Sequence, residues 1–192
     1  PVTFTAAGTG VTVTVTGALA VFQLEAGDAP TSPIVTGAAP VTRAADRMHV
    51  PKSLLPGVET LGTVLVAARM PARPAQRAPL RIGGSGALAV TKPERTIESW
   101  DGTSATVTAN AVATGGLYRY AVAYDAAAGS ATMALDGTLT PRAFDADGWT
   151  SFGEFGIGHA HGFAGEYANT AIAEIRWYPV RLSDTDLAAL TG

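Results

Sequence analysis

Trp100, Asp101, Trp149, His159 and His161 are the side chains whose types and neighbours best suit contact with a ligand. A sugar ring is held by an aromatic plate under its C–H face and by polar groups that reach its hydroxyls. Trp100 directly precedes Asp101-Gly102, a turn pair, so its indole is expected at a hairpin tip. Trp149 falls in Asp145-Ala-Asp-Gly-Trp-Thr-Ser-Phe, which reads as a loop, and loops carry recognition on rigid scaffolds. Each indole has an ordinary alternative in edge packing. His159 and His161 are two apart, and on a strand such a pair points to one side, which suits two imidazole metal ligands. A third ligand would have to come from His49, Glu154 or Glu166. The alternative is two exposed loop histidines between Gly158 and Gly162. No metal site is assigned.

Several chemistries are excluded or unsupported. Cysteine is absent, which rules out disulfides and thiolate metal sites. Lys and Arg total 13 against 16 Asp and Glu, a net charge of −3, and no basic stretch is interleaved with aromatics, so phosphate-neutralising contact with nucleic acid is not expected. No apolar run approaches the roughly eighteen residues of a membrane-spanning helix. There is no Gly-x-Ser-x-Gly elbow and no phosphate-binding glycine loop. Glu154, Glu166 and Glu174 stand alone, and the closely spaced Asp145 and Asp147 lie beside Gly148 in the loop reading. The expectation is a chain that is not an enzyme.

The elements that must position these residues are strands. Hydrophobic residues make up 47% and charged residues 15%, with 22 Gly and 12 Pro, a mixture that suits short strands and turns better than helices. Val11-Thr-Val-Thr-Val-Thr alternates strictly, and residues 1–28 read as the last strands of a preceding β-domain, with pairing to the sheet that follows as the alternative. Pro30, Pro33 and Pro40 make residues 29–45 an extended linker. Residues 46–192 read as the main domain. Thr63-Val-Leu-Val-Ala-Ala-Arg-Met is apolar on both faces, as a central strand would be. Pro71 to Pro79 reads as a loop. Asp101-Gly102 and Asp136-Gly137 both predict type I′ hairpins. Tyr118, Tyr120, Val122 and Tyr124 fall on one strand face. In the last strand Ala171, Ala173, Ile175 and Trp177 face one way, and Glu174, Arg176 and Tyr178 the other. Ser183 is placed to cap a short final helix, with Asp186 at the capping-box position, Leu182 and Leu187 as a staple, and Leu187 and Leu190 as the buried pair. Pro1 is not a natural initiating residue, so a longer chain is expected upstream. The fold expectation is an antiparallel β-sandwich.

Three segments resemble the laminin G-like, concanavalin A-like jelly roll: Tyr120-Ala-Val-Ala-Tyr-Asp with Ala134-Leu-Asp-Gly-Thr, then Phe155-Gly-Ile-Gly with Phe163-Ala-Gly, then Ala173-Glu-Ile-Arg-Trp-Tyr with Leu182-Ser-Asp-Thr-Asp-Leu-Ala-Ala-Leu. They cover 117–191; the resemblance over 46–116 rests on strand count. Gln23-Leu-Glu-Ala-Gly, Thr31-Ser-Pro-Ile and Thr42-Arg-Ala-Ala-Asp are similar to a linker that precedes such jelly rolls in bacteriophage tail and tail-fibre proteins.

The resemblance implies an all-β jelly roll with a short C-terminal helix. It implies a virion component, a terminal module of a tail, tail fibre or spike, extracellular, that binds host-surface glycan or packs on neighbouring tail or capsid proteins. Trimers are common in such fibres, although no heptad is present. Some relatives bind calcium, which makes Asp101, Asp125, Asp136 and Asp145 candidates by type, although turn chemistry accounts for Asp101 and Asp136; no cofactor is otherwise expected. Some relatives hydrolyse polysaccharide with a Glu-x-Asp-x-x-Glu strand, a pattern this sequence lacks. A purely structural role and a depolymerase remain as alternatives.

Overall fold

The computed structural model describes residues 48–70, 77–82, 87–92, 94–113, 115–145, 154–158 and 171–192. The chain divides into two units, Pro1–Ala44 and Ala45–Gly192, and the described residues belong to the second. The strands expected at 2–24 and the linker at 29–45 lie outside the described residues.

Eleven strands and one helix follow in order: β1 (Met48–Pro51), β2 (Leu61–Arg69), β3 (Arg77–Ile82), β4 (Ala87–Thr91), β5 (Ile97–Trp100), β6 (Ala105–Val107), β7 (Leu117–Asp125), β8 (Ser130–Leu135), β9 (Thr138–Ala143), β10 (Glu154–Ile157), β11 (Ile172–Tyr178) and α1 (Asp184–Thr191), with a 3₁₀ turn at Lys52–Leu54. They form a six-stranded sheet, β1-β10-β3-β4-β5-β6, and a five-stranded sheet, β11-β2-β7-β8-β9. Every pairing is antiparallel. The architecture is an all-β jelly-roll sandwich with one short C-terminal helix.

Strand alternation explains the core. Val64, Val66 and Ala68 of β2, Tyr118, Tyr120, Val122 and Tyr124 of β7, and Ala131, Met133 and Leu135 of β8 share the face turned to the other sheet. Ala89, Ile97 and Phe155 meet them from the six-stranded sheet. Each Val, Leu, Ile, Met or Phe among them, fully removed from water, contributes about 1.5–3 kcal/mol. The opposite face of the five-stranded sheet is built from Leu65, Ala121, Ala123 and Ala134, and Leu187 of α1 lies on it. Alanines on β7 and β8 leave room for the helix. Both faces of β2 are therefore covered, which is why it is apolar throughout. Ser183 accepts a hydrogen bond from Asp186 N at 3.1 Å and caps α1, and Leu190 packs beside Leu187.

Asp136 and Gly137, with φ of 46° and 78°, make the two-residue turn between β8 and β9 as expected of a type I′ hairpin. The Asp101-Gly102 hairpin forms with a different turn. Trp100 pairs with Ala105, so four residues intervene, and only Gly102 of the Asp-Gly pair has a positive φ, at 105°. The Asp101 carboxylate accepts from the amides of Thr103 and Ser104, and this side-chain turn replaces type I′. The expected loop to Pro79 ends earlier, because β3 begins at Arg77. Pro79 lacks a donor and falls where the β3–β4 register shifts, between Arg77 and Leu80. In β11 a register shift between Ile172 and Glu174 breaks the simple alternation. Ile172, rather than Ala171 and Ala173, joins Ile175 and Trp177 against the core, while Tyr178 packs with Leu187 on the far side.

Candidate functional site at one end of the sandwich

Register places one end of both sheets together. Pro51 pairs with Glu154, Phe155 with Ile82, Ala87 with Trp100, and Trp100 with Ala105. In the other sheet the corresponding end holds Leu61 opposite Asp125, Asp125 opposite Ser130, and Ser130 opposite Ala143. The connections at 52–60, 83–86, 101–104, 126–129 and 144–153 therefore leave from this end. Trp100 and Asp101 sit there directly. Trp149 lies outside the described residues, in the connection between Ala143 and Glu154. His159 and His161 also lie outside them, in the connection from Ile157 to Ile172, whose flanking residues stand at the opposite end. Of the predicted residues, the described structure therefore places Trp100 and Asp101.

Trp100 is the last residue of β5 rather than a loop residue. Ile97 lies in the core and Ser99 reaches the interior, so alternation puts Glu98 and Trp100 on the outer face of the six-stranded sheet. The cross-strand neighbours of Trp100 are Ala87 and Ala105, and the indole is half-buried. Beside it, Glu98 accepts from Lys92 Nζ at 2.9 Å, the Glu98 side chain being 13% and the Lys92 side chain 23% exposed, and Val107, opposite Glu98, is 41% exposed. An indole next to a charged hydrogen-bonding pair is the combination that binds a sugar ring non-covalently.

Asp101 is not a surface group. It is 0% exposed, and its oxygens are already occupied. Oδ1 accepts from Thr103 N at 2.9 Å and Ser104 N at 2.7 Å. Oδ2 accepts from Ser104 Oγ at 3.0 Å, from Asp145 N at 3.0 Å, and from Arg142 Nη2. Burial pushes the Asp101 carboxyl up, but the amides of Ser104, Asp145 and Thr103 and the Ser104 hydroxyl outweigh it and hold it below the ordinary carboxylate value. The expected ligand role is corrected here: a carboxylate held by five donors has no lone pair left for a ligand.

Arg142 is the partner the sequence reading missed. Its side chain is 1% exposed. Nη1 donates to Ser99 O at 2.8 Å and Ser99 Oγ at 3.0 Å, Nη2 to Ser104 O and Oγ at 3.2 Å each, and Nε to Ala143 O at 2.8 Å. The guanidinium lies 5.9 Å from the Phe144 ring centre, and Phe144 stacks on Tyr124 at 5.2 Å. Tyr120 reaches the same cluster; burial raises its pKa, against the Ser99 hydrogen bond and the Arg142 charge. This buried network ties the end of β5 in one sheet to the end of β9 in the other. It fixes the 101–104 turn beneath Trp100 and anchors Asp145, where the segment holding Trp149 begins. A signal was present in the two-residue spacing of Arg142 and the aromatic Phe144, but a lone arginine in a Thr-rich strand reads as solvated.

Two of the other carboxylates considered for calcium, Asp125 and Asp136, serve turns. Asp125 Oδ1 accepts from Ala128 N at 3.0 Å, and Asp136 Oδ1 accepts from Arg119 N at 3.0 Å. Glu174 pairs with Arg176. Among the described residues no three His, Asp or Glu side chains converge as metal ligands.

No family model matches the sequence, and no curated protein matches it. Solved structures do match. The CBM40 carbohydrate-binding module of the Ruminococcus gnavus IT-sialidase, bound to α2,3-sialyllactose, superposes with a TM-score of 0.59 at 17% identity, over 69% of this chain and 83% of that one. The leech intramolecular trans-sialidase gives 0.55 at 17% identity, over 77% of this chain and 27% of that one. The Trypanosoma rangeli sialidase in complex with the inhibitor DANA gives 0.52 at 14% identity, over 69% and 22%. At these identities the likeness is one of fold, and it includes a carbohydrate-binding module as well as sialidases of which the chain spans about a quarter.

Proposed function

We propose that residues 46–192 form a non-catalytic glycan-binding module whose contact surface is the outer face of β4–β6 around Trp100. The observation that carries this reading is the half-exposed indole, flanked by alanines, beside the Glu98–Lys92 pair and above a turn clamped by Asp101 and Arg142. The carbohydrate-binding modules among the similar structures support the ligand class. Trp149, His159 and His161 are kept as further proposed contacts.

The linker-like residues 23–46 support a finer reading: a terminal module of a phage tail, tail fibre or spike, following another β-domain, displayed outside the cell on a virion and touching neighbouring tail or capsid proteins. Many copies, as in a trimeric fibre, would raise weak affinity by avidity. The rivals are a purely structural role in the particle and a depolymerase.

The test is a glycan array probed with the full chain and with Trp100→Ala. Binding is expected, and the variant should weaken it about tenfold, roughly 1.4 kcal/mol, with unchanged melting temperature. Binding indifferent to Trp100 refutes the assigned surface. Release of reducing ends from host capsule or lipopolysaccharide refutes the non-catalytic reading, and no binding to any glycan favours the structural role.

A further inference from the structure

One flank of the sandwich shows no exposed charge among the described residues. Two edge strands, β6 and β9, border it, and Ala109, just past β6, donates its N–H to Thr140 Oγ1 of β9 at 3.2 Å. From Gly102 to Tyr118 the sequence holds no Asp, Glu, Lys, Arg or His, and the one charge of β9, Arg142, is buried in the clamp. The exposed residues here are uncharged and mostly small: Ala105, Val107, Ala109, Pro141 and Ala143. Charge returns at the margins, with Arg95 beside Val112 and Asp136 in the β8–β9 turn. An uncharged patch with a charged rim is the anatomy of a protein–protein contact.

Ala105 and Val107 turn their backbone groups outward. Asp101 N donates to Ser104 O at 3.2 Å and Thr108 N to Ile97 O at 2.8 Å, so residues 104, 106 and 108 face β5 and the alternate residues face away from it. Since β6 is the last strand of its sheet, the N–H and C=O groups of Ala105 and Val107 form an open ladder. Other edges are guarded. β11 carries Glu174, Arg176 and a register shift, β9 carries Pro141, and β1 ends in Pro51. β6 has only its shortness.

We propose that β6 pairs antiparallel with β6 of a second copy of this chain, joining the two six-stranded sheets edge to edge. The inference stands on the edge itself and not on the glycan reading. With Thr106 opposite Thr106 on the two-fold axis, Ala105 of each copy exchanges both of its hydrogen bonds with Val107 of the other. The register is self-complementary. Small side chains meet without charge, on a chain whose net charge of −3 opposes association elsewhere on its surface. A different protein would find no large anchor on so flat a strip. The flank measures about 20 Å along the strands and about 15 Å across the sheets, roughly 300 Å² a side. The total is below the roughly 1,200 Å² of a stable complex, so the pair is weak and forms where copies are concentrated. The axis runs through the sheet, so the Trp100 of each copy appears on one surface. From strand spacings of about 4.8 Å and a rise of about 3.4 Å per residue, the two are about 16 Å apart.

Sedimentation velocity of the full chain from about 10 μM to about 1 mM, the range of a weak contact, measures the pairing. A concentration-dependent approach to twice the monomer mass is expected, with NMR amide shifts centred on Ala105–Val107. Mixing labelled with unlabelled chain should give a contact between the Thr106 Hα atoms of two copies, whose Cα atoms lie about 4.5 Å apart in this kind of pair. Val107→Pro removes an outward donor that the fold does not use, a change that edge strands accommodate. It should weaken the pairing at least about tenfold with little change in melting temperature. Ala105→Pro provides an independent second variant. A monomer throughout, or a trimer, overturns the proposal. So does a dimer that forms without shifts at Ala105–Val107, since its contact lies elsewhere. Shifts there on adding a glycan at fixed protein concentration would assign the strip to sugar and overturn it as well.

Discussion

Replacing Asp101 by Asn tests whether the Asp101–Arg142 cluster governs the loop-bearing end. Both side chains are withdrawn from water, at 0% and 1% exposure. Asparagine keeps the shape and one acceptor for the Thr103 and Ser104 amides. It also turns an NH₂ group toward Arg142 Nη2 and the Asp145 amide, donors facing donors, and leaves a buried guanidinium without its counter-charge. Breaking a buried pair from one side costs about 3–5 kcal/mol, a large share of the roughly 5–15 kcal/mol that holds a domain folded. For a unit of this size that is a fall in melting temperature of about 6–20 °C. Calorimetry and urea unfolding of wild type, Asp101→Asn, Arg142→Met and the double variant measure it. The double variant should cost less than the sum of the two singles, by about 0.5–3 kcal/mol, because Met removes the charge that Asn abandons. A pH series adds an independent sign. The folded carboxyl titrates below its unfolded value, so its contribution is complete above the ordinary carboxylate pKa and is lost as pH falls through the depressed one. Wild type should therefore lose stability more steeply than Asp101→Asn below about pH 4. A cost under about 1 kcal/mol, the range of exposed pairs, would refute the reasoning.

Two further substitutions test how the scaffold is packed. A Cβ at Gly62 would fall inside the Trp177 indole, which lies across β2 against Tyr124 at 6.2 Å, so Gly62→Ala should destabilise by about 1–3 kcal/mol and shift the tryptophan emission; an unchanged urea midpoint would contradict the packing. Leu187 is 0% exposed on the Ala121–Ala123–Ala134 face, and Leu187→Ala should cost about 2–5 kcal/mol and release α1 to faster amide exchange; a loss below about 1 kcal/mol would mean the helix is not held by that face.

The sandwich was legible wherever periodicity and turn chemistry act over a few residues. The tyrosines of β7, the doubly apolar β2, the Asp136-Gly137 turn and the Ser183 cap each announce themselves within about ten positions, because their causes are local. The bulge in β11 and the placement of Pro79 inside β3 escaped, since both depend on which neighbour pairs with which backbone group. The site was less legible for the same reason. Trp100 and Asp101 were singled out by type, yet adjacent residues on a strand point to opposite faces, and the two received opposite fates: one outward as a platform, the other inward as a clamp.

That division carries a consequence for how recognition surfaces on this fold are maintained. Arg142 lies 41 residues from Asp101, in the other sheet, and the two meet only when the sandwich has closed. The turn under Trp100 is consequently ordered by global folding and not by its own sequence. Local turn propensity would have given Asp101-Gly102 a tight two-residue reversal with its carboxylate in water. The ion pair instead draws the carboxylate inward, lengthens the turn to four residues, and brings Ser104 and Asp145 onto the same two oxygens. Changes in the exposed residues of the 101–104 turn leave the clamp intact, so those positions are free to vary while their support is not. A substitution that disables the clamp is expected to disturb the two loops together, since a single carboxylate is bonded to both.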